Sequence, residues 1–108
     1  MQMSQEIPIQ YRDFYDIPRM FIAEFSGSRF LFDGSFDDAA DEYPNEYAVS
    51  LLPPLTPTEL EGSWEHLSGN AIRFLGRVPT SAVRFDPTRR KYIQDDLLRA
   101  LLTPRRAG

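Results

Sequence analysis

The chain has 108 residues, 42% of them hydrophobic, with eight Phe, five Tyr and one Trp, which suffices for one core but not for two. With no Cys and a single His, it offers no disulfide, no cysteine-ligated metal and no histidine cluster, and these absences exclude many enzyme classes. No apolar run approaches the roughly 20 residues that cross a bilayer, and the first residues show no signal-peptide pattern, so we expect a soluble, cytoplasmic protein with no membrane partner.

The net charge of −4 conceals an uneven distribution along the chain. Residues 1–65 carry 3 basic and 13 acidic side chains, whereas residues 66–108 carry 9 basic and 3 acidic ones. Halves of opposite charge can compensate each other inside one fold, pair head-to-tail with a second copy, or face two different partners. We expect residues 7–102 to form a single β-rich domain between a disordered N-terminus over 1–6 and a flexible tail over 103–108.

The domain begins with a predicted strand from Ile7 to Tyr15, where Ile, Tyr and Phe are interspersed with polar residues. Pro18 then predicts a turn over 16–19, because it fixes its own φ and keeps Ile17 out of the helical region. A second strand follows this turn directly.

The strongest local pattern is a β-hairpin whose arms are residues 21–25 and 29–32. Gly27 lies between the arms and can adopt the positive φ that a tight turn requires. Either possible register places the same side chains on one face, namely Phe21, Ala23, Phe25, Phe30 and Phe32. The opposite face is half polar, so we expect it to be partly exposed; it carries Ile22, Glu24, Arg29 and Leu31. We predict that this hairpin is the centre of the core.

An acidic connection follows over residues 33–46, mostly loop, with a single helical turn near 37–42 as one option. The next strand is predicted at 47–51 and ends before Pro53-Pro54. The run Thr56-Pro57-Thr58-Glu59 matches a capping box and predicts a short helix near 57–61.

The basic half predicts further strands at 71–78 and, more briefly, at 82–85. The segment after Phe85 has two interpretations. A long helix from Asp86 to Leu102 would place basic residues at the positive end of its dipole, which is unfavourable. We therefore prefer a turn over 86–89, a strand through Ile93 and a short C-terminal helix. The sum is a mainly β fold, a small antiparallel sheet or partly open barrel of five to six short strands.

The proline-containing turns also carry charges of both signs. We expect Arg19 or Arg89 to form a charge-assisted hydrogen bond to a neighbouring carboxylate. The candidate carboxylates are Asp13, Asp16 and Asp86.

Residues that could perform catalysis or bind a metal form no convincing pattern. Asp37, Asp38 and Asp41 are close enough in sequence for a loose Ca²⁺ site, but a calcium-loop template beginning at Asp33 fails at the glycine position. His66 has no predicted partner that would make it a general base, and no glycine-rich phosphate loop occurs. We predict no catalytic, metal or cofactor residues, and a small hydrolase-type enzyme using carboxylates stays an alternative function.

The composition instead favours a non-enzymatic protein-interaction module. In the acidic loop, the candidate partner-binding residues are Phe36, Asp37, Asp38, Asp41, Glu42 and Tyr43. In the basic half they are Arg84, Arg89, Arg90 and Lys91. Acids steer the encounter with an arginine-rich partner, and aromatic residues, Tyr47 included, anchor it. The partner is another protein or, through the acidic and basic halves, a second copy; alternatively, Phe36 and Tyr43 tuck the loop against the core.

Nucleic-acid binding by the basic half is a further alternative, since Arg73, Arg77 and Arg84 can neutralise phosphates together with residues 89–91. The aromatic residues of this half are Phe74, Phe85 and Tyr92. Because we expect these three in the core, no platform for stacking bases is predicted.

Overall fold

Antiparallel strands form one open sheet in the computed structural model, which describes residues 6–25, 27–34, 36–62, 64, 66–67 and 69–94. Within these ranges the strands are β1 (Glu6–Phe14), β2 (Pro18–Phe25), β3 (Ser28–Asp33), β4 (Glu46–Leu52), β5 (Arg73–Pro79) and β6 (Tyr92–Gln94). Their spatial order is β5-β4-β3-β2-β1-β6. The predicted mainly β, antiparallel fold is confirmed as an open six-stranded sheet.

The three predictions made for the ends of the chain lie wholly or mostly outside the described residues. The expected C-terminal helix after Gln94 and the expected flexible tail over 103–108 lie outside the described residues, as does most of the expected N-terminal segment. Glu6 is described, and it begins β1 by pairing with Gln94 of β6. In the part of the chain that is described, no helix combines the length and apolar character needed to cross a bilayer.

The predicted hairpin is confirmed as the pairing of β2 with β3. Phe21 lies opposite Phe32 and Ala23 opposite Phe30, which is the alternation expected from the sequence. Gly27 adopts a φ of 80°, a conformation that favours glycine. The Phe21 and Phe32 rings stack with their centroids 4.6 Å apart, and both are fully buried. The hairpin is therefore the centre of the first hydrophobic core.

This first core is covered by the connection from β5 to β6. Because these two strands occupy opposite edges of the sheet, the chain between them has to cross one face. Val83 is buried in the core cluster, and Phe85 packs against it with its ring 5.5 Å from that of Phe21. The strand proposed at 82–85 is instead a 3-10 turn (Thr80–Ala82) followed by a single bridge from Phe85 to Ile93.

The opposite face of the hairpin is more buried than its half-polar pattern predicts. Ile22 and Leu31 are almost fully buried, because Trp64 and Leu67 from the connection between β4 and β5 lie over them. Only the pair of Glu24 and Arg29, joined by an ion pair at 2.8 Å, matches the expected partial exposure.

A short helix and an arginine hold this second covering layer on the sheet. Helix α1 (Pro57–Glu61) begins with the predicted capping box, in which Thr56 and Glu59 each accept a backbone N–H of the other. From β1, the Arg12 guanidinium donates to the carbonyls of Leu60 and Gly62 and lies 4.4 Å from the Trp64 ring centroid. A charge-assisted contact across the layers therefore positions the tryptophan over the second core.

Two aromatic residues that we expected in the core are exposed. Phe74 is 58% exposed on β5, and Tyr92 is also exposed on β6. Both strands are edges of the sheet, and the covering layers bury the central strands more completely than the edges. Phe85 is the aromatic residue of this half that packs against the core as expected.

The stacked pair predicts a strong contrast between two phenylalanines. Phe32→Ala removes a fully buried ring and is expected to lower the free energy of unfolding by about 3–5 kcal/mol. Phe36→Ala removes an exposed ring and is expected to cost less than about 1 kcal/mol. Denaturant unfolding of both variants measures the difference, and equal destabilisation would contradict the assignment of the core.

Candidate protein-interaction surface

The acidic loop between β3 and β4 folds back on itself around Asp37. The Asp37 N–H donates to the Glu42 carbonyl at 2.8 Å in a β-bridge. The Asp37 carboxylate accepts the N–H groups of Ala39 at 3.0 Å and Ala40 at 3.2 Å, and Asp41 adopts a φ of 57°. A tight turn therefore replaces the helical turn considered for 37–42, because the Asp37 side chain satisfies the amide groups of the loop.

Tyr43 is the centre of an aromatic cluster at the base of this loop. Its ring stacks on that of Tyr15 with centroids 5.0 Å apart and meets Phe36 edge-on at 5.2 Å. Tyr43 is half-buried, but Tyr15 is 64% and Phe36 is 42% exposed. Tyr43 is therefore partly covered by Tyr15 and Arg19, whereas Phe36, which the alternative interpretation tucked against the core, is exposed. We call Tyr15, Phe36 and Tyr43 the aromatic end.

Arg19, at the start of β2, supports the aromatic end from within. Its guanidinium is buried and donates to the Asp16 carboxylate at 2.8 Å and to the Pro44 carbonyl at 3.0 Å. The guanidinium carbon lies 4.6 Å from the centroid of the Tyr43 ring. The predicted charge-assisted bond beside the proline turn is thus confirmed for Arg19 and Asp16. Because Arg19 bonds to both Asp16 and Pro44, it connects the turn between β1 and β2 to the acidic loop.

The basic segment is a turn organised by Asp86, as the preferred interpretation predicted. One oxygen of the Asp86 carboxylate accepts the N–H groups of Arg90, Lys91 and Tyr92 at 2.9–3.2 Å. The other accepts the N–H and the hydroxyl of Thr88. Burial alone would raise the pKa of Asp86, but the bonds from Thr88, Tyr92 and Lys91 together hold it well below its usual range.

Two of the predicted basic residues contact the turn between β1 and β2. Arg89 donates to the Asp16 carbonyl at 2.9 Å, and the Arg90 guanidinium lies 5.1 Å from the Phe14 ring. Asp16 therefore receives Arg19 at its carboxylate and Arg89 at its carbonyl. Segments that are distant in sequence therefore meet beside Asp16, whose charge is compensated by Arg19.

The other predicted site residues occupy different positions. Asp38, Asp41 and Glu42 are exposed around the aromatic end. Arg84 and Lys91 lie farther along the sheet, where their carbonyls accept the N–H groups of Gln94 and Ile9.

Tyr47, expected to help anchor a partner, is fully buried, and its hydroxyl donates to the Pro18 carbonyl at 2.5 Å. It belongs to the core, because β4 turns this side chain toward Phe21 and Phe32. Within the described ranges, no three His, Asp or Glu side chains converge on a possible metal position.

Sequence reasoning did not include Tyr15 among the site residues. The proline turn could have indicated this residue. The predicted bond from Arg19 to Asp16 implies that Tyr15, the neighbour of Asp16, lies at the same end of the sheet as Arg19. The sequence did not predict that Tyr43 would stack on Tyr15, because that contact depends on how the acidic loop closes.

This end combines exposed aromatic faces with exposed carboxylates, and both kinds of group attract guanidinium and ammonium groups. In comparisons with known proteins, no protein family, curated protein or solved structure matches the chain.

The Asp86 turn predicts a pH-dependent contribution to stability. Because folding lowers the pKa of Asp86, its carboxylate stabilises the fold above about pH 4, the ordinary value for Asp, and this contribution is lost as the pH falls further. At pH 7, Asp86→Ala is expected to lower the free energy of unfolding by about 1–3 kcal/mol through loss of charge-assisted hydrogen bonds. The difference in free energy of unfolding between wild type and Asp86→Ala should become smaller below about pH 4.

Asp38→Ala is the matched control, since Asp38 is an exposed loop carboxylate. It is expected to change stability by less than about 0.5 kcal/mol. Chemical unfolding at several pH values gives both results. A deficit for Asp86→Ala that stays constant down to pH 3 would show that the carboxylate charge does not stabilise the turn.

Proposed function

We propose that this chain is a non-enzymatic protein-interaction module that binds a basic segment of another protein at the aromatic end. The observation that supports the proposal is the grouping of exposed Tyr15 and Phe36 around Tyr43, with loop carboxylates beside them. Aromatic rings anchor an interface, while surrounding carboxylates steer a cationic partner toward it.

Contacts within the chain between guanidinium groups and aromatic rings support this proposal. Guanidinium groups already lie against two rings near this end, Arg19 on Tyr43 and Arg90 on Phe14. Tyr15 and Phe36 offer the same kind of aromatic surface to an arginine supplied from outside. We therefore expect arginine to bind better than lysine, because its planar group stacks on a ring while it donates to carboxylates.

The surface is already organised before a partner arrives. Asp37 closes the loop with its own hydrogen bonds, and Arg19 fixes Tyr43 relative to the turn between β1 and β2. A partner would therefore meet aromatic rings whose positions cost little further ordering, which favours affinity for a short segment.

A different protein fits this surface better than a second copy does. The basic residues that a copy was predicted to supply include Arg89 and Arg90, and both already contact the turn between β1 and β2 of their own chain. Homodimer formation through the acidic and basic halves would need these contacts to be broken first. We therefore assign the aromatic end to a heterologous basic segment.

The test measures binding of a short, labelled peptide of alternating Arg and Ala to the full chain. We expect binding at low salt that weakens as salt is raised from about 50 to 500 mM, because screening removes the attraction. Tyr15→Ala and Phe36→Ala should each weaken binding about tenfold or more, as expected for anchoring residues. The corresponding Lys-Ala peptide should bind more weakly than the Arg-Ala peptide.

Two matched controls address non-specific attraction to an acidic protein. Tyr92→Ala removes an exposed tyrosine from β6, and Glu61→Gln removes an exposed carboxylate from α1. Neither should change binding, whereas Asp38→Asn should weaken it. Equal losses for Tyr92→Ala and Tyr15→Ala would contradict the proposal. A salt-sensitive dimer that Tyr15→Ala dissociates would identify the partner as a second copy.

A further inference from the structure

The outer side of β5 is an open edge of the sheet. Among the residues that the structure describes, β5 pairs with β4 on one side and has no strand on the other. An edge strand presents backbone N–H and C=O groups that another extended segment can pair with. The side chains of β5 determine which kind of segment could pair there.

The side chains along this edge combine apolar and basic character. Ile72 is 63% and Phe74 is 58% exposed, and Arg73 and Arg77 are exposed beside them. The Arg77 guanidinium lies 6.0 Å from the Phe74 ring. Neither arginine has an ion-pair partner within the described part of the chain. We call Ile72, Arg73, Phe74 and Arg77 the β5 edge patch.

The covering layer of the second core stops short of this patch. Phe74 lies opposite Ser50, which lies opposite Leu31 on the face that Trp64 and Leu67 cover. Leu31 and Ser50 are buried by that cover, but Phe74, one strand farther out, is not. An added strand would therefore lie beside the exposed Phe74, at the outer end of a cross-strand row that contains Ile22, Leu31 and Ser50.

A second copy of β5 is a poor occupant for this edge. Two β5 strands paired antiparallel would bring four arginines into one short ribbon, and like charges facing each other across strands are destabilising. The charge of the edge therefore opposes pairing with an identical strand and favours a segment of opposite charge.

We infer that the β5 edge binds an extended acidic segment of another protein by strand addition. Backbone pairing supplies affinity, carboxylates on one face of the segment pair with Arg73, and apolar side chains on its other face pack against Ile72 and Phe74. Arg77 shares the face of Phe74 and adds positive charge that attracts the acidic segment. This site is independent of the aromatic end, because it selects a partner of the opposite charge. The failure of one proposal would leave the other intact.

The test uses the full chain and a short, labelled peptide of alternating Glu and Val. We expect this peptide to bind more tightly than a peptide of alternating Lys and Val. Its binding should weaken as salt rises from about 50 to 500 mM. Phe74→Ser should weaken binding about tenfold or more, and the double variant Arg73→Glu, Arg77→Glu should abolish it. These side chains are exposed, so thermal unfolding of the variants should stay close to that of wild type.

The controls lie on the opposite edge of the sheet, where Tyr92→Ser and Lys91→Glu should leave binding unchanged. Hydrogen exchange of the wild-type chain supplies a second measurement, since strand addition should slow exchange within β5. The inference is overturned if the acidic peptide does not bind at low salt, or if Phe74→Ser has no effect. It is also overturned if oligouridine binds at this edge in place of the peptide, because that would identify a nucleic-acid site.

Discussion

The stacked pair of Phe21 and Phe32 is the contact on which the rest of the structure depends. Tyr47 meets both rings edge-on, and Phe85 meets Phe21 in the same manner, so four strands or connections converge on one aromatic cluster. Aromatic rings bury large areas with few rotatable bonds, which suits a chain of this length. The Tyr47 hydroxyl donates to the Pro18 carbonyl, and burial raises the pKa of this tyrosine.

That hydrogen bond connects the core to the aromatic end. Tyr47 holds the backbone at Pro18, and the next residue is Arg19, whose guanidinium reaches Asp16 and Pro44 and lies against Tyr43. Gly34 packs closely against the Tyr47 ring, since a Cβ at this glycine would lie 3.0 Å from the ring. The positions of both the β1–β2 turn and the acidic loop are thus set by packing around one tyrosine.

Local patterns predicted the features that depend on neighbours in sequence. The glycine turn between β2 and β3, the capping box at Thr56 and the turn closed by Asp86 follow from short-range rules and are confirmed. The burial of Ile22 and the exposure of Phe74 were not predicted. Strand alternation shows which side chains share a face, but it does not show where a long connection will lie across the sheet or where its cover will end.

The charged side chains of the acidic and basic halves have different partners at two places in the fold. At the β1–β2 turn, the Asp16 carboxylate pairs with Arg19, and the neutral Asp16 carbonyl accepts a hydrogen bond from Arg89, so both arginines are engaged within the chain. On β5, the arginines have no such carboxylate among the described residues, and the β5 edge patch keeps its positive charge. Uniform compensation would leave neither region charged, so this uneven pattern favours the two proposed surfaces, the aromatic end with its loop carboxylates and the β5 edge patch, over a single self-complementary interface.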